Sequence, residues 1–235
     1  AVLAGLQPAV RRASSGGQAP PPGKSDTSLV MRIRDRIAEQ GANPFLAASG
    51  QPCGEVPCLG GVAKDCLSVM ACSLLQASRS TSVPLPILVA QTKKESHFWP
   101  AGSNEDTFGV PYLQEKLEGV EGCPNPWPVV RVGRGGSRQK GWPIGPLQTK
   151  PAAFCQVGMK ASDLYDVPIG ERIRLSILAG AKYMAWLKNK RLPGRSWADC
   201  LHAYNVGPGA FENGSRNHDY VNEILADAAR YTELA

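Results

Sequence analysis

A chain of 235 residues, 43% hydrophobic and 20% charged, can bury a sizeable core and is too apolar to be disordered throughout. No apolar run reaches the roughly 20 residues of a membrane span, and the most hydrophobic stretch, Leu175 to Leu187, is interrupted by Ser176, Gly180 and Lys182. A net charge of +6 and a pI near 9.0 favour encounter with polyanions, but charge alone does not separate wall polymers from nucleic acids or membranes.

Residues 1–27 read as a flexible tail or linker, because Ser14-Ser15-Gly16-Gly17 and Pro20-Pro21-Pro22-Gly23 offer little apolar surface to repay ordering. Ala1 to Leu6 is apolar but brief, with its basic pair, Arg11-Arg12, on the wrong side for a signal peptide, so Ala1 reads as a processed or trimmed end. The N-cap candidates Ser25-Asp26-Thr27-Ser28 precede a helix over Leu29 to Ala38 with an apolar stripe at Leu29, Ile33 and Ile37. Gly41 to Gly61 reads as irregular, and Ala63 to Ala77 as a second helix on the recurrence of Cys66, Val69, Met70, Ser73 and Leu74. Residues 28–82 thus form an N-terminal helical, cysteine-containing region.

Cys53, Cys58, Cys66 and Cys72 are separated by four, seven and five residues, which is not zinc-ribbon spacing, and no histidine lies nearby. Disulfides in an oxidising compartment are expected, with three pairings open and one or more bonds stapling the loop to the helix. Cys123, Cys155 and Cys200 leave an odd thiol.

Pro86-Ile87-Leu88-Val89-Ala90 can open a helix, and its continuation puts Leu88, Gln91 and Glu95 on one face. A carboxylate at the end of an apolar helix is where desolvation raises a Glu pKa and keeps the proton available for general-acid work. The plainer reading, a solvated Glu beside Lys93 and Lys94, would prevail if this stretch stood alone. Further on, Ala152 to Met159 predicts a short helix, and Gly170 to Lys188 a helix that is apolar nearly all round between Leu175 and Leu187, the buried centre of a helical domain that Gly180 and Ala181 let another helix approach. Trp197 to Asn205 predicts a helix closed by Val206-Gly207-Pro208-Gly209, which would hold Tyr204 and Asn205 at a fixed end. Asn217 to Leu225 starts a closing helix that carries Tyr220-Val221. His97, His202 and His218 are scattered without ligand spacing, so no metal or other cofactor is expected.

Three blocks stand in a recognisable order: Glu95-Ser96, then Gly145-Pro146-Leu147-Gln148 with Pro151 three residues on, then Ala203-Tyr204-Asn205-Val206-Gly207-Pro208-Gly209. Together they resemble the soluble lytic transglycosylase family, relatives of goose-type lysozyme, whose pattern is Glu-Ser, Gly-Leu-Met-Gln with a following proline, and Ala-Tyr-Asn-Ala-Gly-Pro-Gly. The second block departs, with Pro146-Leu147 for Leu-Met. The resemblance covers about Pro86 to Tyr231 and implies a mainly α, lysozyme-like catalytic domain over 83–235. It implies Glu95 as the catalytic acid and base, with Ser96, Gln148, Tyr204, Asn205 and Tyr220 as substrate-binding residues.

Measured against that family, the chain carries a long irregular insertion, about 103–142. It runs from an acidic part at Glu105-Asp106 through Glu121 to a basic, glycine-rich part, Arg131, Arg134, Arg138 and Lys140. The basic run is read first as a solvated loop rather than a phosphate or RNA site, and the insertion as a lid whose Trp127 or Trp142 could stack on sugars. A rival register for the second block, ending at Gln114, lacks the following proline.

The resemblance implies cleavage of peptidoglycan glycan strands to 1,6-anhydromuramoyl ends, outside the cytoplasm or on a virion, with no nucleic-acid partner and a wall-penetrating or secretion assembly as a candidate setting. A goose-lysozyme-like muramidase using Glu105 or Asp106, and a non-catalytic peptidoglycan-binding protein, are the alternatives.

Overall fold

In the computed structural model, residues 24–40, 52–59, 61–99, 110–133 and 136–234 are described, and among them nine α-helices and two small antiparallel hairpins make a mainly α protein. Glu105, Asp106, Arg134 and most of the expected tail lie outside the described residues. The first helix, α1 (Lys24–Glu39), begins earlier than expected, so Ser25 to Ser28 stand inside it rather than ahead of it. Asp26, in its first turn, takes Arg79 of the next helix in a bidentate ion pair. Val30, Ile33 and Ile37 are its buried stripe, and Leu29 is half-buried.

The stretch expected to be irregular contains a strand. β1 (Pro52–Cys58) pairs with β2 (Gly61–Asp65), and α2 (Cys66–Thr81) starts where Asp65 accepts the Ser68 N–H at 2.9 Å. That cap moves the start of α2 from the expected Ala63 to Cys66. Disulfides Cys53–Cys66 and Cys58–Cys72 fasten β1 to α2, and Cys123–Cys155 leaves Cys200 as the odd thiol, buried.

Helix α3 (Leu85–Ser96) follows, and the insertion supplies α4 (Val110–Leu117) and the hairpin β3 (Val129–Val132) with β4 (Gly136–Gln139). Gln114 therefore stands on a helix. Next come α5 (Pro151–Gln156), α6 (Ile169–Trp186), α7 (Trp197–Val206), the short α8 (Pro208–Glu212) and α9 (His218–Ala229), which Asn217 caps by accepting the Tyr220 N–H. No residue of α6 is exposed, as its composition predicted, and it packs against α2, α5, α7 and β1. Gly180 does admit a close neighbour, but the neighbour is a turn and not a helix: a Cβ there would lie 2.7 Å from Leu147 and 2.8 Å from Thr149 Oγ1.

The insertion is not a loose loop over its described residues. Leu113, Leu117, Ile144, Phe154, Leu164 and Ala179 form a second core beneath it, and Cys123–Cys155 ties it to α5. Among the described residues no helix is long and apolar enough to cross a membrane.

Candidate active site

The site begins with the way α3 ends. From Leu85 to Thr92 every residue of this helix is buried, packed between α2 and α9. His97 then adopts φ 51° and returns its N–H to the Lys93 carbonyl, and Phe98 follows at φ 62°. Two successive non-glycine residues in the left-handed region are costly, and burial of Phe98 (1% exposed) holds them there. The consequence is a helix that stops with Glu95 in its last turn, at the rim of the core.

A tight turn faces it. Ile144 and Thr149 exchange backbone hydrogen bonds at 3.0 Å in both directions, with Gly145 at φ 72° and Gln148 at φ 46° between them. Gly145 has no substitute here, because a Cβ would stand 2.5 Å from Ser176 of α6. The turn is fixed from three sides. Ser96 Oγ donates to the Pro146 carbonyl at 2.8 Å, the Tyr204 hydroxyl donates to the Leu147 carbonyl at 2.8 Å, and Leu147 seats on Gly180. Thr149 Oγ1 also meets the Tyr204 hydroxyl at 2.9 Å. Pro146-Leu147 is thus accommodated: the proline is used through its carbonyl and the leucine through burial.

Glu95, Gln148, Tyr204 and Asn205 line one cleft of about 390 Å³. Burial pushes the Glu95 carboxyl up to about 7, opposed by the hydrogen bond from Tyr220 and by the charge of Lys94. The Tyr220 hydroxyl donates to Glu95 Oε1 at 2.5 Å and receives a long 3.4 Å contact from Gln91 Nε2. Burial also holds the phenols of Tyr204 and Tyr220 well above their ordinary value, so both remain hydrogen-bond donors beside Glu95.

Ser96 and Tyr220 are placed differently from the expectation. Neither is on the cleft wall; both are buried behind Glu95, where Ser96 holds the turn and Tyr220 holds the carboxyl. Asn205 is exposed in the cleft, and its Oδ1 accepts from Asn217 Nδ2 at 2.9 Å. Gln148 keeps its amide folded onto the Gly145 carbonyl at 2.8 Å.

An aromatic wall was missed. Tyr183 and Trp186, at the end of α6, line the cleft and stack on each other at 5.5 Å and 12°. Tyr183 also stands 5.6 Å from the Tyr204 ring. An aromatic pair three residues apart was the available signal, hidden by the apolar character of the whole helix. Trp127 and Trp142 do not line the cleft. Trp127 Nε1 donates to the Lys140 carbonyl at 3.0 Å, and Trp142 lies beneath Lys116 and Arg138. The insertion instead contributes Gln139, and Pro143 follows directly after it.

The histidines, scattered in sequence, are partly gathered in space: the His202 and His218 rings meet edge to face at 5.0 Å. Even so, no group of three or more potential metal ligands occurs among the described residues. Among those residues Glu95 is the one carboxylate lining the cleft, and Lys150 the one cation.

Among the described residues of this mainly helical protein, the cleft thus brings one desolvated acid together with an aromatic pair and side-chain amides, and a carboxyl held at about 7 can give or take a proton near neutrality. Protein-family models, curated proteins and solved structures give no match to the chain.

Proposed function

We propose that this protein is a lysozyme-like lytic transglycosylase that cleaves the β-1,4 bond between N-acetylmuramoyl and N-acetylglucosaminyl residues of peptidoglycan. The observation that carries the reading is Glu95: a carboxyl pushed up to about 7, aimed into a sugar-sized cleft, with no second acid among the described cleft-lining residues. Glycoside cleavage ordinarily employs two carboxyl groups. With one, the substrate supplies the other partner.

In this mechanism the 2-acetamido oxygen of the muramoyl residue attacks C1 as Glu95 protonates the departing glycosidic oxygen. The resulting carboxylate then takes the proton of the C6 hydroxyl, whose oxygen closes on C1 and releases the acetamido group. The product is a 1,6-anhydromuramoyl end, no water is consumed, and Glu95 finishes protonated as it began. A group with a pKa of about 7 serves both steps near neutrality. Gln148 and Asn205 offer amides to the sugar substituents, and Tyr183, Trp186 and Tyr204 offer aromatic surface to the rings. Ser96 and Tyr220 act from behind as positioning groups. Three disulfides fit a wall-facing, oxidising location: the periplasm, the extracellular space or a virion.

The test is mass spectrometry of muropeptides released from purified sacculi by the native protein and by Glu95→Gln. Anhydro ends from the native protein and none from the variant are expected. Reducing ends would move the assignment to hydrolysis by a goose-lysozyme-like route. Binding to sacculi without release would replace catalysis with a structural role.

A further inference from the structure

We propose that one face of the β3–β4 hairpin, together with Lys150, forms an accessory subsite for the acidic peptides that peptidoglycan strands carry. The protein would then select peptide-bearing strands over strands without peptide charge. This inference rests on the glycan-cleaving reading of the adjoining cleft.

The argument starts from register. Val129 pairs with Gln139 and Arg131 with Ser137, so by strand alternation these four residues share one face, while Val130, Val132 and Arg138 belong to the other. Gln139 lines the cleft. The cleft wall therefore continues onto the face that carries Val129 and Arg131.

The arginines of the two hairpin strands, Arg131 and Arg138, are used in different ways. Arg138 is committed to the fold, paired with Glu118 at 2.8 Å and lying 5.0 Å over the Trp142 ring. Arg131 is exposed and forms no ion pair among the described residues, and Val129 beside it is 61% exposed. On the cleft's own wall Lys150 is likewise exposed and without an ion pair among the described residues. With Glu95 largely protonated below about pH 7, the described residues give the rim of the cleft a positive charge.

A glycan chain whose muramoyl carboxyls are all amide-linked to peptide has no negative charge of its own. Its anions are the peptide carboxylates, which project sideways from the sugars. Two exposed cations without an ion pair among the described residues, and an apolar side chain, flank a glycan cleft and match such a branch in sign and position. The hairpin is also held before the ligand arrives: the Lys140 N–H to Pro128 carbonyl bond at 2.9 Å closes its base, and Arg138 ties it to Glu118.

The experiment compares kcat/KM on soluble peptide-bearing strands with that on the same strands after their peptide carboxyls are amidated, for the native protein and for Arg131→Gln, Lys150→Gln and the double variant. The native protein is expected to favour the unmodified strands by roughly tenfold at low salt, the difference shrinking as salt is raised. Each single variant should reduce that ratio and the double variant should bring it near one. Equal native rates on both strands would overturn the subsite while leaving the cleavage reading intact, and so would variants that slow both strands alike with the ratio unchanged. Stronger inhibition by inorganic polyphosphate than by peptide-bearing fragments would assign the face to a phosphate polymer instead. No cleavage of either strand by the native protein would sink the parent reading, and the subsite with it.

Discussion

The hydroxyl of Tyr220 donates to Oε1 of Glu95 at 2.5 Å across 125 positions of sequence, joining α9 to the end of α3. This bond opposes the burial that raises the Glu95 pKa, so it both orients the carboxyl and limits its upward shift. Tyr220→Phe should therefore push the Glu95 pKa above about 7 and carry the alkaline limb of the kcat/KM profile upward with it. The rate at neutral pH should fall by about tenfold, less than the roughly 10²–10⁴-fold attributed to a general acid. A pH–rate profile of the two proteins on the same strands checks both effects. An unmoved alkaline limb would show that the hydroxyl does not act through Glu95.

Glu95 itself is a stability cost at high pH. Its pKa is raised in the folded state, so the protonated carboxyl is the favoured form, and stability is lost as pH climbs from the unfolded value of 4.5 through about 7. The size of the effect above pH 8 is on the order of 3 kcal/mol. Glu95→Gln should abolish cleavage and yet melt at a higher temperature than the native protein at pH 8, with the two melting points converging near pH 4. Thermal melts at the two pH values decide it, and a variant less stable at pH 8 would mean that the carboxylate is better solvated than its burial implies.

Gly180→Ala should damage the site more than the fold. The new methyl would stand 2.7 Å from Leu147 and 2.8 Å from Thr149 Oγ1, so the Gly145 to Thr149 turn must lift from α6. The cost of such overpacking is about 1–3 kcal/mol, but lifting the turn also breaks the contacts of Tyr204 with Leu147 and Thr149. Activity should drop by at least about tenfold while the protein still melts cooperatively. Full activity with a lowered melting point would show that the turn can adjust without disturbing the cleft.

The helices were legible because their signals are local. The stripe of α1, the mostly apolar second half of α6 and the helix-opening Pro86 ahead of Glu95 each lie within a few turns of chain. β1 was not legible: Gly54, Pro52 and Pro57 read as loop, and it takes the two cystines, the pairing with β2, the Gln76 bond to the Pro57 carbonyl and packing on α6 to hold them extended. The placement of Tyr220 behind Glu95 depends on how α9 packs on α3, which no short stretch encodes. Tyr183 and Trp186 were passed over because a helix buried on all sides gives no hint of which half-buried residues face a cleft. Among the cysteines, spacing left three pairings open, and the meeting of β1 with α2 chose one.

The last prediction concerns the start of α9. His202 Nδ1 accepts the backbone N–H of Asn217 at 3.1 Å, and Asn217 in turn caps α9 and reaches Asn205 in the cleft. Burial lowers the His202 pKa, and the nearby positive charge of His218 and Arg216 lowers it further, against the smaller opposing charge of Asp199. The neutral ring is thus the form the fold requires. Stability from this group is complete above the ordinary value of 6.5 and is lost as pH falls below it toward the depressed folded value. Protonation removes the acceptor, frees the Asn217 N–H and loosens the helix end that carries Tyr220. His202→Phe should be less stable than the native protein at pH 8, by about 1–3 kcal/mol for the unpaired N–H. The variant should also lack the part of the native protein's stability loss below pH 6.5 that belongs to this ring. Melts across that range, read beside the nitrogen chemical shifts of His202, test the assignment. If His202 is already protonated at pH 7, the acceptor role and its link to Tyr220 fall together.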